Sequence, residues 1–169
     1  MRWTFITILF ILLTLSSADA CICGLESIHQ VRQRSIEQSE LIFTAKVILE
    51  DTTKNFFRLK VMKIYKGTIA REIDASGFVD PSGGWLTCTF WPSPHWGNKF
   101  IIYANRIKGT MLIFIDDCSA TRSIKNPNVH LAYPPNTLVD RKQRRQARRD
   151  LKEEIEILKK LNVVSKLAG

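Results

Sequence analysis

The chain carries cysteines at positions 21, 23, 88 and 118, and the first of them follows a short apolar N-terminal stretch. Met1-Arg2-Trp3 supplies a positive charge, Thr4 to Leu15 is an apolar run of about twelve residues, and Ala18-Asp19-Ala20 follows. Charge, apolar stretch and an A-x-A site together predict a signal peptide over residues 1–20, cut before Cys21. The run is too short for a helix crossing ~30 Å of hydrocarbon, and no later segment is apolar enough to span, so no transmembrane segment is expected. Export places the cysteines where disulfides persist. Residues two apart in an extended chain point to opposite sides, which disfavours a Cys21–Cys23 bond. Two pairings remain: Cys21–Cys88 with Cys23–Cys118, or the crossed pair. Either clamps the new N-terminus to two distant parts of the chain. Closing such a loop stabilises by ~4 kcal/mol, less strain, and turns a terminus that would otherwise fray into a placed chemical group.

A bacterial lipoprotein also begins on a cysteine after cleavage, with its amine acylated, but Ala18 and Asp19 fit the preceding lipoprotein box poorly. The expected location is therefore secreted and extracellular, with a periplasmic or Cys21-lipid-anchored chain as the alternative.

Composition narrows the function classes. With 169 residues, 45% hydrophobic and 24% charged, the chain suits one globular domain and excludes collagen-like or disordered classes. The formal net charge of +9 points toward an anionic partner or surface. The chain shows no nucleophile elbow, P-loop, H-E-x-x-H or evident carboxylate pair, so it does not read as an enzyme. His29, His95 and His130 have no metal-ligand spacing, and a zinc site would need the thiolates kept reduced. No cofactor of its own is expected.

Hydropathy patterning predicts a small β domain followed by a helix. Glu26 to Gln38 is helix-compatible, with Ile28, Val31 and Ile36 on one face. Leu41 to Glu50 alternates, placing Phe43, Ala45, Val47 and Leu49 on one side of a strand. Phe56 to Tyr65 is a second strand whose apolar phase changes near Val61-Met62, the mark of a bulge, and Lys66-Gly67 ends it. Arg71 to Val79 is a third strand, and Asp80-Pro81-Ser82-Gly83-Gly84 a turn. Lys99 to Asn105 and Thr110 to Ile115 form a hairpin around Lys108-Gly109. Short strands with turns between them argue for a barrel or a sandwich.

Between the turn and the hairpin, Trp85, Phe90, Trp91 and Trp96 surround Cys88, either as a binding rim or as filling for a barrel mouth. Beyond Pro134-Pro135, Thr137-x-x-Asp140 is a capping signal for a helix to about Leu161. Leu151, Ile155, Leu158 and Leu161 form its packing face. Its first turns carry Arg141, Lys142, Arg144, Arg145, Arg148 and Arg149, six cations without an acid among them. These read either as a solvated face or as a contact for acidic polysaccharide or another anionic surface. The helix dipole disfavours cations there, which argues that stability did not place them.

Cys21-Ile22-Cys23-Gly24 at the cleaved terminus resembles the start of the tissue inhibitors of metalloproteinases, the TIMP-like or netrin-like (NTR) OB-fold family. The likeness continues in Ser39-Glu40-Leu41-Ile42-Phe43-Thr44-Ala45-Lys46-Val47, in Gly97 to Ala104, and in Met111 to Arg122 with Cys118. Ala147 to Leu161 is similar to a C-terminal helix of shorter relatives. The resemblance covers about Cys21 to Arg122 plus that helix. It implies a mainly β fold: a small OB-fold-like closed β-barrel with flanking helices and a C-terminal basic amphipathic helix. The implied organisation is a signal peptide over 1–20, a barrel domain over 21–130, and a linker with the helix over 131–169.

The resemblance also implies disulfides Cys21–Cys88 and Cys23–Cys118 and a metalloprotease-inhibiting wedge of Cys21, Ile22, Cys23, Gly24, Leu86 and Thr87. In that wedge the amine and carbonyl of Cys21 chelate a zinc belonging to the target protease, Ile22 enters its specificity pocket, and Leu86 and Thr87 flank the contact. The implied partners are zinc metalloproteases, with no nucleic acid expected. The chain departs from the pattern in three ways: neither the third disulfide nor the cysteine-rich second domain is expected, and Ile22 stands where strong inhibitors carry a small or hydroxylated residue. The alternative function is a non-inhibitory NTR-type module, extracellular or at a cell envelope, engaging an anionic surface or matrix partner.

Overall fold

The computed structural model describes residues 27–51, 56–76, 97–116, 118–127 and 141–167, with side chains through Leu161. Over these residues the chain forms two helices and six strands. They are α1 (Ile28–Gln38), β1 (Leu41–Asp51), β2 (Phe56–Lys66), β3 (Glu72–Ser76), β4 (Lys99–Arg106), β5 (Ile113–Phe114), β6 (Arg122–Ser123) and α2 (Arg141–Leu167). Pairing runs β1-β2-β3-β5-β4, and β4 pairs back onto β1. Every pair is antiparallel except β3 with β5, which is parallel. The sheet therefore closes into a five-stranded barrel, while β6 adds to the other edge of β4. Of the two all-β alternatives, the chain adopts the barrel. The strand order and the two helices make it an OB-fold-like one.

Closure follows from where the apolar residues stand on β1 and β4. Along β4, Phe100, Ile102 and Ala104 face the barrel interior, while Ile101 and Tyr103 face outward, and all five are buried. A strand covered on both faces reads as a continuous apolar run, as Phe100 to Ala104 does. The start of β1 behaves alike: Leu41, Phe43 and Ala45 point inward and Ile42 outward. The barrel interior is filled chiefly by Phe43, Phe57 and Phe100. The outer wall at Ile42, Ile101 and Tyr103 forms a second core with Val31 of α1 and with Leu151 and Leu158 of α2.

Bulges bend β1 and β2 around this ring. Thr44 faces Lys63 while Ala45 faces Val61, so Met62 is the extra residue. The phase change in the sequence fell at that place, because a bulge turns every later side chain to the opposite face. Of the two other irregularities in this pairing, one skips Tyr65, between Ile42–Lys66 and Phe43–Ile64, and one leaves Ile48 without a partner on β2: Val47 faces Leu59 and Leu49 faces Arg58. The latter corrects one expectation, since Leu49 is flipped away from the interior and is 45% exposed.

Helix α1 starts two residues later than the sequence pattern suggested. Ser27 caps it in a capping box: its hydroxyl accepts from the Gln30 N–H at 3.4 Å, and its own N–H donates to Gln30 Oε1 at 2.8 Å. Ile28 is only half-buried, and the helix packs through Val31, Arg32 and Ser35. The second strand ends at Gly67, whose φ is +78°. A Cβ there would lie 2.6 Å from the Glu40 carbonyl oxygen and 2.8 Å from Leu41 Cδ2, so the turn requires glycine.

The expected hairpin is present, with Asn105 opposite Phe114 and Arg106 opposite Ile113. Its second strand is only two residues long, because Thr110 closes the preceding turn through hydrogen bonds with Ile107 and Leu112. Helix α2 runs past Leu161 to Leu167, and Leu161 is 38% exposed rather than packed.

Candidate functional site

Of the wedge suggested by the sequence, Cys21, Ile22, Cys23, Gly24, Leu86 and Thr87 lie outside the described residues, as do Cys88 and the tryptophan-rich stretch. Cys118 is described, and it is disulfide-bonded. It follows β5 in a turn where its N–H donates to Asp116 Oδ1 at 2.9 Å and the Ser119 N–H donates to the Asp116 carbonyl at 3.0 Å. Helix α1 fixes this turn from the side. Arg34 Nη2 donates to the Cys118 carbonyl at 3.0 Å, and the Ala120 N–H donates to Ser35 Oγ at 2.8 Å. The sulfur is thus carried by a turn bonded to a helix, which in turn packs on the barrel.

The six cations of α2 all stand exposed. Arg149 donates to Gln146 Oε1 at 2.7 Å, and Gln146 donates to Asp150 at 2.7 Å, but none of the six cations makes an ion pair among the described residues. The first turn of the helix has no acidic residue. The following turns hold the helix in place, with Leu151 and Leu158 buried and Ile155 half-buried.

Between those leucines lies a group that the sequence reading missed. Glu154 is fully buried, and its Oε2 is 2.5 Å from Arg122 Nη2, itself buried. The Tyr103 hydroxyl donates to Glu154 Oε1 at 2.9 Å, and the Tyr103 backbone N–H donates to Thr121 Oγ1 at 2.9 Å. Burial holds the Glu154 carboxyl above its ordinary value, against the opposing pull of Arg122 and the Tyr103 hydroxyl. Burial, helped by the charge of Glu154, pushes the Tyr103 hydroxyl up, so it remains a donor. Arg122 Nε is buried without a hydrogen-bond partner among the described residues. A second bridge, from Arg32 to Glu153 at 3.4 Å, ties α1 to α2. The sequence did hold a signal: Glu154 falls three residues after Leu151 and four before Leu158, so an acid sits on the apolar stripe.

His29 lies exposed on α1, with Nδ1 3.1 Å from Arg32 Nη2. Among the described residues there is no group of three or more His, Cys, Asp or Glu placed to hold a metal, and no helix is long and apolar enough to cross a membrane.

The class these features define is that of small OB-fold-like barrels, closed by a parallel β3–β5 contact and covered on one wall by two helices. No family model matches the chain, and no curated protein matches it.

Proposed function

We propose that the mature chain is a secreted inhibitor of zinc metalloendopeptidases that acts through the backbone of Cys21. A metalloprotease zinc has three protein ligands and an open position held by water. The amine nitrogen and carbonyl oxygen of a terminal residue close a five-membered chelate at that position and displace the water needed for hydrolysis. Cys21 supplies both atoms, clamped to Cys88. Ile22 enters the protease's specificity pocket, where its β-branched bulk selects a roomy apolar site. Cys23, bonded to Cys118, sets the approach, Gly24 allows the chain to turn away, and Leu86 and Thr87 flank the contact. A wedge held in this way loses little chain entropy on docking.

The observation that carries this reading is the disulfide-bonded Cys118, held against α1 on a closed barrel of the kind the resemblance implies. The test is to express the chain with its native leader, verify the mature terminus by mass, and assay it against a panel of zinc endopeptidases. Stoichiometric inhibition of at least one is expected, and inhibition of none would reject the proposal.

A second reading is a non-inhibitory module that holds an anionic surface. It is favoured by the six exposed cations of α2, which have no ion-pair partner among the described residues. Binding that collapses with added salt while protease activity stays untouched would select it.

A further inference from the structure

A line of lysines crosses the outer wall of the barrel, carried by strands rather than by α2. Lys46 of β1 is in register with Lys60 of β2 on one side and with Lys99 of β4 on the other. Residues directly opposite in antiparallel pairs share a face, so the three lysines stand in one row over three adjacent strands. At a strand spacing of about 4.7–4.9 Å the row is about 10 Å long at the backbone. All three lysines are exposed, and none makes an ion pair among the described residues. Glu72 of β3 continues the register beyond Lys60 without bridging to it. Lys63, also exposed on β2, adds a fourth cation, its Nζ 5.2 Å from the centre of the Tyr65 ring.

Like charges directly opposite each other destabilise a sheet. Elsewhere this barrel avoids the problem: Arg58 faces Asp74 and bonds both of its carboxylate oxygens, at 2.7 and 3.0 Å. Two consecutive Lys–Lys pairs are therefore a cost to the fold that a ligand's charge would offset.

We propose that this wall, centred on Lys46, Lys60 and Lys99, is a docking surface for a sulfated or carboxylated polysaccharide chain. A single line of cations on a convex wall matches a linear polyanion better than it matches a flat bilayer. Single-stranded nucleic acid is held by exposed aromatic rings on which bases stack. Among the described residues the exposed large apolar side chains are aliphatic: Ile48, Leu49, Met62, Met111 and Leu161. Polyanion binding at this wall is independent of protease inhibition.

The test measures heparin binding by the mature full-length chain as a function of salt. Lys46→Gln/Lys60→Gln/Lys99→Gln is compared with Arg144→Gln/Arg145→Gln/Arg148→Gln, which removes the same charge from α2. The lysine variant is expected to weaken binding roughly tenfold or more near about 0.15 M salt and to flatten the log–log salt slope by about 2, on the scale of counterion release. Its thermal midpoint should not fall, and Lys46→Arg/Lys60→Arg/Lys99→Arg should bind as the parent does. Equal losses in both charge-removing variants would show that net charge alone matters, and a loss confined to the arginine variant would move the site to α2. Either result overturns the proposal, as would tighter binding to single-stranded DNA or to phosphatidylserine vesicles than to heparin, or failure of the arginine row to bind.

Discussion

Glu154 shows how much a single buried carboxylate decides in this molecule. It accepts from Arg122 and from the Tyr103 hydroxyl, and so ties α2 to β6 and β4 at once. Removing one member of a buried ion pair strands the other charge, which costs about 3–5 kcal/mol, whereas replacing both with apolar groups is far milder. Arg122→Met should therefore lose about 3–5 kcal/mol in chemical denaturation, and Arg122→Met/Glu154→Leu should recover most of that loss.

The same carboxyl gives a pH signature. Because burial raises its value above the ordinary 4.5, the folded chain binds the proton more tightly than the unfolded chain does. Its contribution is fully present below pH 4.5 and is lost as pH rises through the folded value. In Glu154→Gln, the part of the unfolding midpoint's pH dependence that declines above pH 4.5 should flatten. Gly67 is the backbone counterpart. At φ +78° with the Glu40 carbonyl beside it, Gly67→Ala should cost about 1–3 kcal/mol, visible as a lowered thermal midpoint.

At the level of elements, α2 is the lid of the second core. Leu158 is fully buried against the outer wall and Leu161 is 38% exposed, one turn further on. Leu158→Ala should cost about 2–5 kcal/mol and Leu161→Ala less than about 1 kcal/mol, both read from urea midpoints. The sequence pattern gave these two leucines the same role, because periodicity reports which side of a helix is apolar but not where the partner surface ends. The bulge at Met62 was legible, since one extra residue inverts an alternating pattern. The irregularity at Ile48 was not, because Val47, Ile48 and Leu49 are all apolar and leave no phase to read. The lysine row was hidden for the same reason. Lys46, Lys60 and Lys99 become neighbours only once the register of two strand pairs is fixed, and bulges on β1 and β2 set that register. The clamped terminus expected from the cysteine positions lies outside the described residues, while the carriers of the Cys118 turn, Arg34 and Ser35, left no trace in the spacing of residues.

For the whole molecule, the barrel separates two tasks. One wall is covered by α1 and α2 and is held by apolar packing and the Glu154 network. A second stretch of wall remains open and cationic, in a chain of net charge +9. The turn that carries the disulfide-bonded Cys118 is hydrogen-bonded to α1, which packs on the barrel. Inhibition requires this rigidity to reach the first residue of the processed chain and its amine to remain free. The most direct measurement compares a susceptible zinc endopeptidase titrated with the mature protein and with a form carrying one additional alanine before Cys21, both verified by mass. Loss of inhibition by at least a hundredfold in the extended form, ~2.7 kcal/mol, with an unchanged thermal midpoint is the expected result. Equal inhibition by the two forms would contradict chelation by Cys21.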